Sequence, residues 1–118
     1  MTLSATLENA TDLPDAITGF ISAAIQPDPA EINNFLTPSA QIIDHDEIFS
    51  GEEAHIRWAR RFTERRVSAQ HFGIERDAHG VTLLYRVHTG DDSGPGVRRY
   101  TFALTANGKL IESLTVAE

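Results

Sequence analysis

The stretch Ala40-Gln41-Ile42-Ile43-Asp44-His45-Asp46-Glu47-Ile48-Phe49-Ser50-Gly51 is a short apolar run that stops at three ionisable residues. Ile42 and Ile43 read as the end of a buried strand, and Ser50-Gly51 as the turn into a helix. Asp44, His45 and Asp46 therefore stand where an apolar interior meets its rim. Burial and neighbouring charge there move a titratable group toward a working pH, so this is where chemistry is expected. The plainer reading is that Asp44 and Asp46 are solvated turn residues and that His45 and Asp46 belong to the rim, with Asp46 at most orienting His45.

Working outward, the upstream chain is helical. Leu13, Ile17, Phe20, Ile21, Ala24 and Ile25 recur at helical spacing, with Asp12 as N-cap, Pro14 in the first turn and Pro27 as the stop. Asp28-Pro29-Ala30-Glu31 opens a second, shorter helix with Ile32, Phe35 and Leu36 on its apolar face, ended by Pro38. Downstream, 51–65 is a third helix carrying Ala54, Trp58 and Phe62 on one side. Arg57, Arg60, Arg61, Arg65 and Arg66 surround that side as a solvated flank, paired with Glu52, Glu53 and Glu64. From Val67 the period changes to alternation. Strands are predicted over 67–76, 81–90, 97–106 and 110–117, the last two joined by an Asn107-Gly108 hairpin signal. Helices followed by a strand meander give an α+β layout, a curved, mostly antiparallel sheet with helices on one face.

Composition narrows the function. The 118 residues suit one domain, 1–118, with 1–11 as a frayed N-terminus. With 17 acidic against 10 basic residues the formal charge is −7, which argues against a nucleic-acid partner and an anionic membrane surface. There is no cysteine, hence no thiolate chemistry and no cysteine metal site. No signal peptide or membrane-length apolar stretch is visible, so a cytoplasmic protein is expected. No histidine pair has H-x-E or H-E-x-x-H spacing, so no metal is expected, and Gly94-Pro95-Gly96 reads as a hairpin tip rather than a phosphate loop. The last strand has apolar residues on both parities, which points to a homodimer through the outer sheet face.

The order of these elements, with Asp44 ending the first strand, the Gly51-Glu52-Glu53-Ala54-His55-Ile56-Arg57-Trp58 helix start, Phe102, and Gly108-Lys109-Leu110-Ile111, resembles the nuclear transport factor 2-like superfamily, nearest its SnoaL-like branch. The resemblance spans 13–116. It implies a cone-shaped fold of three N-terminal helices packed on a curved sheet, around a deep apolar pocket for a small hydrophobic molecule. It also implies a homodimer and acid–base chemistry without a cofactor.

Two enzymatic relatives frame the site. The resemblance to ketosteroid isomerase implies Asp44 as base and Tyr100 as hydrogen-bond donor to an enolate, a pairing that is a worked case of carboxyl tuning. The oxyanion tyrosine of that enzyme falls near Phe20, which has no hydroxyl. The resemblance to scytalone dehydratase implies that Gln70-His71-Phe72 and Arg86-Val87-His88 hold two catalytic histidines, His71 and His88, with His45 where a water-binding tyrosine stands. Its tyrosine–aspartate pair on the first helix falls near Ala24-Ile25 and is missing.

Each of these residues has a structural alternative: His71 as a satisfied core histidine, Trp58 as core, and Tyr85 and Tyr100 as core with bonded hydroxyls. Arg86 reads as an ion-pair partner on the dimer face or an anchor for an anionic ligand. His55 and His79 read as solvent-facing. Phe20, His45, Trp58, Arg86 and Phe102 are the expected ligand-binding wall. Three functions stay open: a cofactor-independent isomerase, cyclase or dehydratase acting on a small carbonyl compound, a non-catalytic hydrophobic-ligand-binding protein, and a dimerisation module. A cavity filled by Phe20, Trp58 and Phe102 favours the last.

Overall fold

The structure, a computed structural model, describes residues 13–64, 68–77, 80–88 and 96–117, without the side chains at 62–64, 68, 69, 77 and 88. Helix α1 (Asp15–Ala24) turns Ala16, Ile17, Phe20, Ala23 and Ala24 inward, the face its spacing dictates. Its N-cap is Pro14, whose carbonyl accepts from the backbone N–H of Ile17 and Thr18; the expected cap, Asp12, lies outside the described residues. The second predicted helix is a 3-10 helix (Ala30–Phe35). The Asp28 carboxylate accepts from the Ala30 N–H at its start, and Ile32 is buried.

Strand β1 (Leu36–Asp44) begins earlier than the sequence suggests and contains Pro38. Its pairing shifts between Leu36 and Gln41, so Pro38 sits in an unpaired stretch where its missing N–H costs no ladder bond. A two-residue turn, His45-Asp46, folds β1 back onto β2 (Glu47–Ser50), a short edge strand that the sequence pattern did not announce. Helix α2 (Glu52–Glu64) follows Gly51, which takes φ +90°. Strands β3 (Ser68–Asp77), β4 (Gly80–His88), β5 (Gly96–Leu104) and β6 (Ile111–Ala117) complete one sheet in the order β2-β1-β6-β5-β4-β3. Only β1 and β6 pair in parallel among these strands. The sheet is curved and unclosed, so the α+β architecture is as expected, with two α-helices and one 3-10 helix among the described residues.

Strand register explains how the core grades into a site. Ile42, Leu114, Phe102 and Val81 pair in succession across four strands and form a buried row facing the helices. One step along, Asp44, Val116, Tyr100 and Leu83 form the next row. One step further, Arg98, Tyr85 and His71 form a third. The face thus passes from hydrocarbon to ionisable residues within two steps of the pleat.

Over the first row, Phe20 stacks on Trp58 with ring centroids 6.0 Å apart and meets Phe102 edge-on at 5.8 Å. All three are buried. Burying aromatics of this size contributes about 2–3 kcal/mol each, so this trio is a principal anchor of the helices to the sheet. The opposite face is mixed: Thr82 and Thr101 share a hydrogen bond at 3.0 Å and Arg99 pairs with Glu75, while Phe72 and Val97 are exposed. On the last strand, Ile111, Leu114 and Val116 are all buried within the single chain. No described helix is long and apolar enough to cross a membrane.

Candidate functional site

An open cleft of about 280 Å³ lies at the end of β1, lined by Asp44, His45, Asp46, Glu47, Arg61 and Arg98. Its lining is charged, and the Phe20–Trp58–Phe102 trio, which the resemblance implied as ligand-binding wall, packs as buried core.

Asp44 is its centre. Trp58, from α2, donates its indole N–H to Oδ2 at 2.9 Å. His45 lies 2.6 Å from Oδ1 through Nδ1. A carboxylate only accepts, so His45 donates Nδ1–H, which leaves Nε2 as the ring nitrogen that can take a proton. This contact between sequence neighbours needs an unusual backbone. His45 has φ +56°, a region that histidine adopts uncommonly, and its N–H is tied to the Val116 carbonyl. The turn thereby folds the imidazole back over its own neighbour.

The cations have different partners. Arg61, from α2, makes two hydrogen bonds to Glu47, at 3.1 and 2.9 Å, and lies over the Phe49 ring. The hydrogen bond to Glu47 is the main reason its pKa is raised, against the smaller opposing effect of burial. Arg61 thus ties α2 to the edge strand rather than pairing along its own helix. Arg98 lies near enough to Tyr100 for its charge to act on the phenol. Burial pushes the Tyr100 phenol up, with Arg98 opposing, and burial pushes Tyr85 up to about 12. Both phenols therefore stay O–H donors at ordinary pH.

The sequence-predicted residues divide as follows. Asp44 and His45 meet in the cleft, and Tyr100 shares the Asp44 row. His71 lies two rings away, 5.3 Å from Tyr85, which is itself 5.3 Å from Tyr100. Its Nε2–H is given to the Gly73 carbonyl, so it is a hydrogen-bonded residue beside the site rather than a member of the cleft lining. His88 ends β4, but its side chain lies outside the described residues, so the expected pairing of two histidines does too.

Arg86, expected as a ligand anchor or ion-pair partner, is exposed on the outer face over the Phe72 ring. Phe72 is the cause of a parity break: pairing shifts between His71 and Gly73, and a bulge moves Gly73 off the His71 face. Phe20, Trp58 and Phe102 form core behind the cleft instead of its wall. His55, expected in solvent, is 1% exposed. Its Nε2–H donates to the Ala40 carbonyl at 2.9 Å, and Nδ1 pairs with the Asn33 amide at 2.9 Å. His79 lies outside the described residues. Arg98, Arg61 and Glu47 were not singled out; the available signal for Arg98 was its position two residues before Tyr100, hence on the same strand face.

No protein-family model matches the sequence, and no curated protein matches it. Solved structures do resemble it. A protein from Sinorhizobium meliloti, assigned without proof of activity to the polyketide cyclases, is 19% identical with a TM-score of 0.78, over 91% of this chain and 97% of that one. The fold is that of the SnoaL-like proteins. A SnoaL-like protein from Jannaschia is 12% identical with a TM-score of 0.68, over 90% of this chain and 87% of that one. A protein of ketosteroid isomerase-like fold from Catenulispora acidiphila, solved with trimethylamine, is 19% identical with a TM-score of 0.65, over 90% and 86%. At these identities the SnoaL-like fold is what is shared; an activity does not follow from it.

Proposed function

We propose that this chain is a SnoaL-like small-molecule protein that moves a proton on a small carbonyl compound in the cleft at the end of β1. The observation that carries this reading is the Asp44–His45 pair and Arg98 lining one opening, with the Tyr100 phenol in the same strand row as Asp44. An acid–base step at carbon needs a base near the C–H and donors near the oxygen that becomes an enolate, and these two sets are what the second and third strand rows supply. The charged lining suits the polar carbonyl end of such a compound.

Deuterium wash-in from heavy water tests this, followed by proton NMR on cyclohex-3-en-1-one, 2-indanone and acetylacetone. Exchange above the buffer rate for at least one compound, lost in Asp44→Ala, is expected. Buffer-rate exchange for all three refutes the proposal. The filled inner space favours one alternative, a dimerisation or binding module of the same fold, which that outcome would leave standing.

A further inference from the structure

Asp44 occupies the position where the fold would place a base, yet its surroundings suit another task. One oxygen accepts the Trp58 indole N–H and the other accepts from His45. Both carboxylate oxygens thus already accept a hydrogen bond from a neighbouring side chain. Its side chain is 18% exposed, against 43% for His45. His45 is the member of the pair that faces the cleft more openly, and its backbone is held at φ +56° to keep it there. Glycine would take that φ without cost, whereas a side chain there is strained. The turn therefore keeps an imidazole at a position that the backbone alone would give to glycine.

We infer that His45 takes and returns the proton in this cleft, with Asp44 and Trp58 as its positioning residues. This rests on the proposed proton transfer and names its carrier. In the forward step the substrate C–H bond breaks and an N–H bond forms at His45 Nε2. The C–H electron pair moves into the carbonyl system and the oxygen becomes an enolate, which accepts hydrogen bonds from Arg98 in the cleft lining. Return of the same proton to the same carbon or a conjugated one closes the cycle, so nothing is oxidised or reduced. Asp44 stabilises the imidazolium without taking the proton itself, the division of labour of the serine-protease triad.

The test uses the full chain and the isomerisation of cyclohex-3-en-1-one to its conjugated isomer, followed by ultraviolet absorbance. His45→Gly suits the existing φ, and His45→Asn tolerates it while offering no titrating nitrogen. Both should lose about 100-fold or more of the catalysed rate, the scale of a general base. Imidazole added to His45→Gly should restore the rate, and imidazole added to Asp44→Asn should not. Wild-type-like rates in both His45 variants, with loss in Asp44→Asn, would overturn this inference and leave proton transfer at the cleft intact. Loss in His45→Gly without rescue would also overturn it, since that marks a structural role. A wild type no faster than buffer would remove the functional reading and the inference together.

Discussion

Replacing Trp58 by Phe removes the indole N–H and shrinks a buried ring. Trp58 is 2% exposed, and its indole N–H lies 2.9 Å from Asp44 Oδ2. A hydrogen bond to a charged group contributes about 1.5–3 kcal/mol, and the partial solvent access of Asp44 places this one near the lower end. Shrinking the ring adds about 1 kcal/mol of lost burial against Phe20. The expected loss is therefore about 2.5–3.5 kcal/mol, a large share of a total stability of about 5–15 kcal/mol. Urea unfolding must be followed by far-ultraviolet circular dichroism, because Trp58 is the sole tryptophan and its fluorescence leaves with it. A double-mutant cycle with Asp44→Ala isolates the hydrogen bond from the packing loss, and its coupling energy should be about 1.5–2 kcal/mol. Coupling below about 0.5 kcal/mol would refute the claim that the indole holds the carboxylate in place.

Gly80→Ala should cost more than about 2 kcal/mol in the same assay, because the added Cβ would run into the carbonyl of Phe102 on the neighbouring strand, and backbone cannot step aside. His55→Leu should cost about 2–4 kcal/mol, since it strands the Ala40 carbonyl and the Asn33 amide in a buried place. Tyr85, pushed up to about 12 by burial, keeps its proton in the folded state after the unfolded chain has lost it. Its contribution is complete below the unfolded value of about 10 and is lost as pH rises through the folded one, so stability should fall by about 2 kcal/mol across that window; phenolate absorbance checks the titration. Phe72 and Val97 remain exposed on the outer sheet face, and a homodimer through it should sediment as such at micromolar concentration and dissociate in Phe72→Asp; a monomeric wild type would refute it.

The parts of the fold visible in the sequence are those with local causes. Ser50-Gly51 marks a helix start because Gly51 takes φ +90°, and Asn107-Gly108 marks a turn because Gly108 takes φ +72°. The spacing of Ile17, Phe20 and Ala24 names the face that α1 buries. What escaped the sequence has distant causes. His55 sits among Glu53 and Arg57 and looks solvated, yet its partners Asn33 and Ala40 are supplied by other elements. Strand β2 is four residues long and reached by a two-residue turn without the usual glycine, so no turn signal announces it. The bulge at Phe72 reverses the alternation on which face assignments for β3 depend, and nothing in Gln70-His71-Phe72-Gly73 reveals it beforehand. In the site, Asp44 was legible because an apolar run stops there. The placement of His45 over Asp44 was not, because it depends on one backbone angle.

The parallel pairing of β1 with β6 has a bearing on how the molecule is made. Asp44 is paired with Val116, and the N–H of His45 is fixed by the Val116 carbonyl, at the far end of the chain. During synthesis, Asp44, His45 and Trp58 leave the ribosome well before their sheet neighbour exists. The β3–β5 meander closes through neighbouring segments, whereas the seam between β1 and β6 closes one of the longest loops in the chain. The turn that bends the imidazole over Asp44 thus gains its last anchor when that seam forms, and a nascent chain stalled before β6 carries every residue of the cleft without the cleft.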